Sequence, residues 1–132
     1  MGAYYITTDL EVRARFNPVA LDEALRLAGL HGGVRECDGI WRAGYSCGPC
    51  VYHPTSGLRH LLGIVEGLGS EARTMWDRSL SRRFDMGFQC FDERFWSKWQ
   101  VSPKLMRRLA NVNGNLVVTI YRDAGHQSII AP

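Results

Sequence analysis

The amino-acid sequence predicts a single α+β domain, residues 1–132, in which about three helices pack on a mostly antiparallel sheet. Two stretches alternate apolar with polar residues, which is typical of half-buried strands. Three other stretches repeat apolar residues at helical spacing between a capping residue and a glycine stop. The chain shows no internal repeat and no linker long enough to separate two domains. The predicted order is β-α-β-β-α-β-α-β.

The first strand is predicted from residues 10–16, where apolar side chains occupy the even positions and charged side chains the odd ones. That alternation gives a strand with one buried and one solvated face. Asn17 is then expected to cap a helix that begins at Pro18, because proline is favoured at the first helical position. Gly29 supplies the left-handed residue that ends this helix.

A hairpin is predicted next, because Asp38-Gly39 separates two strand-like segments, 34–37 and 40–45. Thr55 or Ser56 is expected to cap the following helix, which ends at glycines 67 and 69. A further helical turn starts at Ser70.

The last part of the chain is predicted to form a strand, a helix and a strand. Residues 84–90 alternate apolar with polar side chains, Ser102-Pro103 starts the helix, and Asn113-Gly114 ends it. Residues 116–121 are apolar on both faces, so we expect a strand that lies centrally in the sheet. Residues 126–130 could pair at a sheet edge.

The composition is that of a globular protein and excludes several classes. Hydrophobic residues make up 45% and charged residues 22% of the chain, which argues against a disordered, coiled-coil or collagen-like protein. No run approaches the roughly 20 apolar residues that a membrane-spanning helix needs. The first residues lack the basic and then apolar pattern of a secretion signal, so we expect a cytoplasmic protein with four reduced cysteines.

The basic residues are mostly arginine. Only Lys98 and Lys104 are lysines among the 16 basic side chains, and the net charge of +3 is too small to dictate a partner. Arginine suits planar, bidentate and stacked contacts better than lysine does.

The segment Cys47-Gly-Pro-Cys50 spells the active site of thioredoxins, but its surroundings differ. A redox-active cysteine needs the N-terminus of a helix, and the predicted helix caps come only at Thr55 or Ser56. A zinc site would need Cys37, Cys47 and Cys50 with His53 or Cys90, and a second C-x-x-C pair is missing. We therefore favour a turn between two small thiols and expect neither a metal nor a cofactor.

No common catalytic motif is present in the sequence. It contains no G-x-S-x-G elbow, no H-E-x-x-H helix and no phosphate-binding glycine loop followed by lysine. The four histidines lie far apart in sequence. We therefore expect a protein that is not an enzyme.

The most unusual stretch for binding is 91–99, in which three large aromatic residues fall within positions 95–99, beside two basic ones. The candidate partner-binding residues are Arg94, Phe95, Trp96, Lys98 and Trp99. Exposed aromatic residues with arginine are typical anchors of protein interfaces. In an alternative interpretation, a short helical turn tucks Phe95 and Trp99 into the core. A further alternative is stacking of the rings on nucleic-acid bases.

The pattern of elements resembles an uncharacterised bacterial family, domain of unknown function 4279. The residues that carry the resemblance are the helix 105–110, the Asn113-Gly114 stop, the strand ending at Tyr121, the Asn17-Pro18 helix start, Trp41 and the leucines of the middle helix. The segments 47–50 and 95–99 are not part of the family pattern. The family has no established activity to carry over, and small bacterial domains of this kind often look like immunity proteins, which block a partner toxin.

We therefore expect a non-enzymatic binding protein, and specifically an immunity-type inhibitor that neutralises a cognate toxin or effector protein. The alternative is a phage- or defence-related protein, anti-CRISPR-like, that binds nucleic acid or a nucleic-acid machine through arginine and aromatic residues. A thiol or zinc protein that uses Cys47 and Cys50 is the third hypothesis. The sequence predicts no membrane partner and does not determine the oligomeric state.

Overall fold

The structure is a computed structural model that describes residues 3–47, 53–90 and 98–122. These residues form an α+β fold with one five-stranded mixed sheet and four helices. The elements in chain order are β1 (Ala3–Ala14), α1 (Val19–Leu27), β2 (His31–Cys37), β3 (Ile40–Ser46), α2 (Pro54–Glu66), α3 (Ser70–Asp77), β4 (Ser81–Cys90), α4 (Pro103–Asn111) and β5 (Asn115–Arg122). The α+β class is confirmed. The predicted count of three helices is one too low, because the turn that starts at Ser70 is a separate helix, α3.

The N-terminal strand lies in the middle of the sheet, whose order is β2-β3-β1-β4-β5. β1 pairs antiparallel with both β3 and β4, and β2 pairs antiparallel with β3. β4 and β5 are parallel, and α4 makes the crossover between them. The sheet is therefore mostly antiparallel, as the sequence predicts.

The predicted central position of the last strand is wrong. Among the described strands, β5 lies at an edge, where it pairs only with β4, and the central place is taken by β1 between β3 and β4. Leu116, Val118 and Ile120, on the helix side of β5, are 37%, 53% and 63% exposed. An apolar residue pattern on both faces of a strand thus did not indicate a central strand here.

The core lies between one face of the sheet and the helices. One buried cluster joins apolar side chains of the sheet and of all four helices. The sheet contributes the even-numbered residues 10 and 12 of β1 and 84 of β4, and the helices contribute leucines and other apolar side chains. Trp76 of α3 is fully buried, and its indole Nε1–H donates to the Val112 carbonyl oxygen at 2.8 Å. Its ring meets Phe84 edge-on, with 5.9 Å between the ring centroids.

The helix ends agree with the sequence in part. Ser102 caps α4 as predicted, because its Oγ accepts a hydrogen bond from the Leu105 amide at 3.2 Å. Gly29 has a φ of +97°, which confirms the left-handed stop after α1. The side chain of Asn17 does not cap α1, which begins at Val19 rather than at Pro18.

The start of α2 also differs from the prediction. The helix begins at Pro54 and not after Thr55 or Ser56. The imidazole Nδ1 of His53 accepts the hydrogen bond from the Thr55 amide at 3.2 Å and so takes the capping role.

The predicted hairpin between β2 and β3 is confirmed. Asp38 and Gly39 have φ values of +54° and +81°, the pair of left-handed residues that a two-residue type I′ turn requires. The turn pairs Cys37 with Ile40 and so sets the register of the whole hairpin.

No helix in the described part of the chain is both long enough and apolar enough to cross a membrane.

Candidate functional site

The face of the sheet that points away from the helices is the candidate functional site, and we call it the open face. Since side chains alternate along a strand, the odd-numbered residues of β4, of β5 and of β1 from Thr7 onward lie on this face, with the residues of β2 and β3 that are in register with them. No helix among the described residues packs against it, because the apolar residues of all four helices belong to the cluster on the opposite face.

Three arginines stand side by side across three neighbouring strands of the open face. Arg35 of β2 is opposite Arg42 of β3, and Arg42 is opposite Arg13 of β1. We call these three residues the arginine row. Side chains directly opposite each other have Cβ atoms roughly 5 Å apart, and like charges in such pairs destabilise a sheet.

The arginine row has no counter-charge in the described part of the chain. None of its three guanidinium groups lies within 4 Å of a carboxylate there, whereas three arginines on the helices, Arg26, Arg73 and Arg108, are paired. Arg26 bonds to Asp22 at 2.8 Å, and Arg108 bonds to Glu66 at 2.7 Å. The ion pairs between described residues therefore lie on the helices, and none of them neutralises the arginine row.

The arginine row borders a shallow depression of about 570 Å³. Its floor is formed where Gly33 lies opposite Gly44, so no side chain fills the space beside Arg35 and Arg42. A Cβ atom built on either glycine would meet nothing within 4 Å. The charged residues that line the depression are Arg13, Arg35, Arg42, Arg83 and Glu11.

Two polar atoms beside the depression are shielded from solvent and lack a hydrogen-bond partner. They are the Nε of Arg13 and the Oγ of Ser81, and the two residues are cross-strand neighbours in register. A buried polar group without a partner costs about 1–3 kcal/mol of stability. Such a cost on a surface that is otherwise polar is typical of a site that awaits a ligand.

Acidic residues lie next along the open face. Asp9 of β1 is directly opposite Asp85 of β4, and we call them the acidic pair. Burial raises the pKa of Asp9 above its usual value, and the nearby charges of Asp85 and Glu11 raise it further. One carboxylate oxygen of Asp9 has no hydrogen-bond partner, while Asp85 accepts from the Thr119 hydroxyl at 2.8 Å. The open face thus carries the arginine row and the acidic pair in separate rows, with Glu11 opposite Arg83 in the row between them.

Replacing Asp9 with asparagine is expected to stabilise the protein at pH 7. The pKa of Asp9 is raised in the folded state, so the ionised carboxylate destabilises the fold. This destabilisation is absent below the ordinary pKa of 3.8 and grows as the pH rises towards the folded-state pKa. Thermal melts of Asp9→Asn should therefore show a higher Tm at pH 7 and no difference near pH 3. Glu23→Gln, at an exposed helix position, is the control, and an Asp9→Asn protein less stable at pH 7 would contradict this assignment.

The predicted aromatic site is described only in part. Arg94, Phe95 and Trp96 lie outside the described residues. Trp99 is 41% exposed, and its ring centroid lies 5.5 Å from that of Phe88 and 5.4 Å from that of His53. Its side chain is therefore packed on the domain along one side and open along the other.

Lys98 and Trp99 share a cavity of about 780 Å³ with Arg59 and with the residues that cap α2 and α4. No acidic residue lines this cavity in the described part of the chain. Lys98, Trp99 and Arg59 form a second, smaller basic surface, close to the segment that the sequence predicts as the partner-binding site.

The cysteines are arranged differently from a zinc site. Cys37 is exposed at one end of the β2–β3 hairpin, and Cys47 is buried just beyond the other end of β3. A strand of this length spans roughly 20 Å at about 3.3 Å per residue, so the two thiols cannot share an ion. Cys50 lies outside the described residues, and no group of three potential metal ligands is found within them.

Cys47 is embedded in the backbone of its neighbours. Its thiol donates to the Thr8 carbonyl oxygen at 3.3 Å, and α2 starts seven residues later, at Pro54. The Sγ of Cys47 also lies 3.9 Å from the carbonyl oxygen of Gly57 in the first turn of α2, so the thiol is buried against that helix.

The arginine row was not among the residues that the sequence indicated. The alternation in residues 10–16 correctly places Arg13 on the outer face of its strand. The signal that could have found the row is the hairpin turn, because Asp38-Gly39 fixes Arg35 opposite Arg42.

Comparison of this chain with protein-family models, with curated proteins and with solved structures finds no match in any of the three. The function must therefore be inferred from the residues of the open face.

Proposed function

We propose that this chain is a non-enzymatic binding protein that docks its open face against another protein. The observation that supports this most is the charge separation on that face. The arginine row and the acidic pair lie in separate rows of one uncovered sheet, and no ion pair within 4 Å joins them. Groups held unpaired in this way are available to complementary charges on a partner.

A protein partner fits this face better than nucleic acid does. A nucleic-acid backbone carries one negative charge at every phosphate and needs a continuous basic track. Here Asp9, Asp85 and Glu11 interrupt the positive zone and would repel such a backbone. A folded protein can present an acidic patch to the arginine row and a basic patch to the acidic pair at the same time.

The specific form of this proposal is an immunity-type inhibitor that blocks a cognate bacterial toxin or effector protein. The family resemblance of the sequence motivates this choice, and blocking requires only shape and charge complementarity. The half-exposed Trp99 with Lys98 provides a second contact, because aromatic anchors contribute strongly to interfaces. We also propose a cytoplasmic location, since the exposed free thiol of Cys37 suits a reducing compartment.

The experiment that tests this proposal reverses the charge of the arginine row. The chain is co-expressed with the product of the gene next to its own, and growth and complex formation are measured. We expect the wild type to restore growth and to form a complex, and Arg35→Glu with Arg42→Glu to abolish both, because opposed charges become like charges. Each reversed charge in a close pair should cost about 1.5 kcal/mol or more of binding free energy.

Arg107→Glu is the matched control, since it reverses one exposed arginine of α4, outside both the open face and the surface around Trp99. A folded double variant that binds and protects like the wild type would contradict the proposal. A complex with nucleic acid that weakens steeply with salt would favour the alternative function, because counterion release governs such binding.

A further inference from the structure

We propose that the arginine row is a binding site for a phosphate monoester dianion, carried by a phosphorylated side chain of the partner. The choice of a protein as the carrier rests on the proposed function. The site itself rests on the geometry of β1, β2, β3 and the start of β4, which supply its residues.

The first reason is the unrelieved repulsion within the arginine row. Arg42 has an arginine opposite it on both sides, and the described residues place no carboxylate within ion-pair distance of any of the three. A dianion above Arg42 would be within reach of all three guanidinium groups, since neighbouring strands lie about 4.8 Å apart. Binding would turn a destabilising row into a charge-paired one.

The second reason is the pair of donors without acceptors beside the row. The Arg13 Nε–H and the Ser81 hydroxyl line the same depression, and neither has a hydrogen-bond partner. A small rotation of either side chain on ligand entry would let it donate to an oxygen of the anion. A phosphate group has three strong acceptor oxygens, enough to engage guanidinium and hydroxyl donors together.

The third reason is the space in front of the row. Gly33 and Gly44 leave the floor of the depression bare, and the open volume of about 570 Å³ admits a phosphate group with its carrier side chain. Side chains at these two positions would occupy that volume.

The charge balance favours phosphate over a carboxylate. Four arginines and Glu11 line the depression, which gives it a net charge of +3. A carboxylate would neutralise one of these charges, whereas a phosphate monoester carries about −1.5 to −2 at pH 7. Arginine also binds phosphate through two parallel hydrogen bonds, which lysine cannot form.

The acidic neighbours favour an isolated phosphate over a polyphosphate chain. Glu11 lies at the edge of the depression, and Asp9 follows in the next row of the same face. A chain of phosphates that ran from the arginine row along the strands would meet these carboxylates. A single phosphate on a polypeptide avoids them.

The test is a titration of the purified, isotope-labelled chain with inorganic phosphate. The chemical shifts of the backbone amides are measured by NMR at each phosphate concentration. Chloride at matched ionic strength is the reference. We expect saturable shifts at the amides of Arg13, Arg42 and Ser81, and weaker binding below pH 6, where the second phosphate proton returns. The absence of saturable shifts at these residues would overturn the proposal.

Two variants and one control make the titration specific. Arg42→Gln removes the central donor, and Gly44→Val fills the floor without changing any charge. Each should weaken phosphate binding about tenfold or more, because charge-assisted bidentate contacts are the strong ones. Arg107→Gln removes one positive charge on the exposed side of α4 and should bind phosphate like the wild type. An equal loss in all three variants, or no loss in Arg42→Gln, would overturn the site.

The carrier is tested with a phosphoserine peptide, its unphosphorylated form and a 5′-phosphorylated oligonucleotide. We expect the phosphopeptide to bind about tenfold or more tightly than the unphosphorylated peptide and to lose this advantage in Arg42→Gln. Tighter, strongly salt-dependent binding of the oligonucleotide would overturn the protein carrier.

The phosphate site and the proposed docking function can fail separately. If the Arg35→Glu, Arg42→Glu protein loses its partner but the wild-type complex is unaffected by phosphatase treatment and by free phosphate, the docking face stands and the phosphate site falls. If phosphate binds as expected but no protein partner depends on the arginine row, the proposed function falls instead.

Discussion

Trp76→Ala should remove about 3–5 kcal/mol from the free energy of unfolding, because it opens a cavity in the centre of the core. The side chain of Trp76 is fully buried between α3 and the sheet and lies against Phe84. The substitution also leaves the Val112 carbonyl oxygen without its donor. Urea denaturation followed by circular dichroism measures the change.

Two controls separate the contributions of Trp76. Trp76→Phe keeps most of the volume and loses the hydrogen bond, so it should cost about 1–3 kcal/mol. Leu27→Ala, at a position that is 88% exposed, should change the stability by less than about 0.5 kcal/mol. A Trp76→Ala protein as stable as Leu27→Ala would contradict the described core.

Gly32→Ala should destabilise the protein by about 3 kcal/mol, because no side chain fits between β2 and β3 at this position. A Cβ on Gly32 would lie 2.8 Å from the Gly44 carbonyl carbon, 2.9 Å from the Tyr45 Cα and closer still to the Gly44 oxygen. All three are backbone atoms, so relief requires the two strands to move apart or slip. The arginine row would be disturbed with them, because its register depends on this pairing.

The neighbouring residue provides the matched control for Gly32. A Cβ on Gly33 points to the other face and meets nothing within 4 Å, so Gly33→Ala should be neutral or slightly stabilising. Thermal melts of the two variants measure the difference. Equal stability of the two proteins would show that the strands approach less closely at Gly32 than the structure indicates.

Much of the fold could be predicted from the sequence, because its signals are local. The Asp38-Gly39 turn and the Ser102 cap depend on the preferences of a few adjacent residues. Two predictions that were wrong concern the start of α2 and the position of β5. His53 caps α2 although histidine is not a usual capping residue, and β5 is at an edge because β1 takes the central place in the sheet.

The candidate site could be predicted only in pieces. The alternation in β1 puts Arg13 on the outer face, and the hairpin turn sets Arg35 opposite Arg42. The hairpin arginines join Arg13 only through the pairing of β3 with β1, which brings Arg42 opposite Arg13. Such non-local register follows from the packing of the whole sheet and not from any short pattern. The sequence therefore indicated the aromatic segment instead.

The strand order has a consequence for how the chain folds during synthesis. β1, β2 and β3 are the first three strands along the chain and are neighbours in the sheet, so we expect the arginine row to assemble while β4 and β5 are still being translated. Until α2 and α3 emerge from the ribosome, the apolar face of this nascent three-stranded unit, which includes Leu10, Val12 and Ala43, is covered only by α1. That interval is when the growing polypeptide is most exposed to aggregation and most in need of a chaperone.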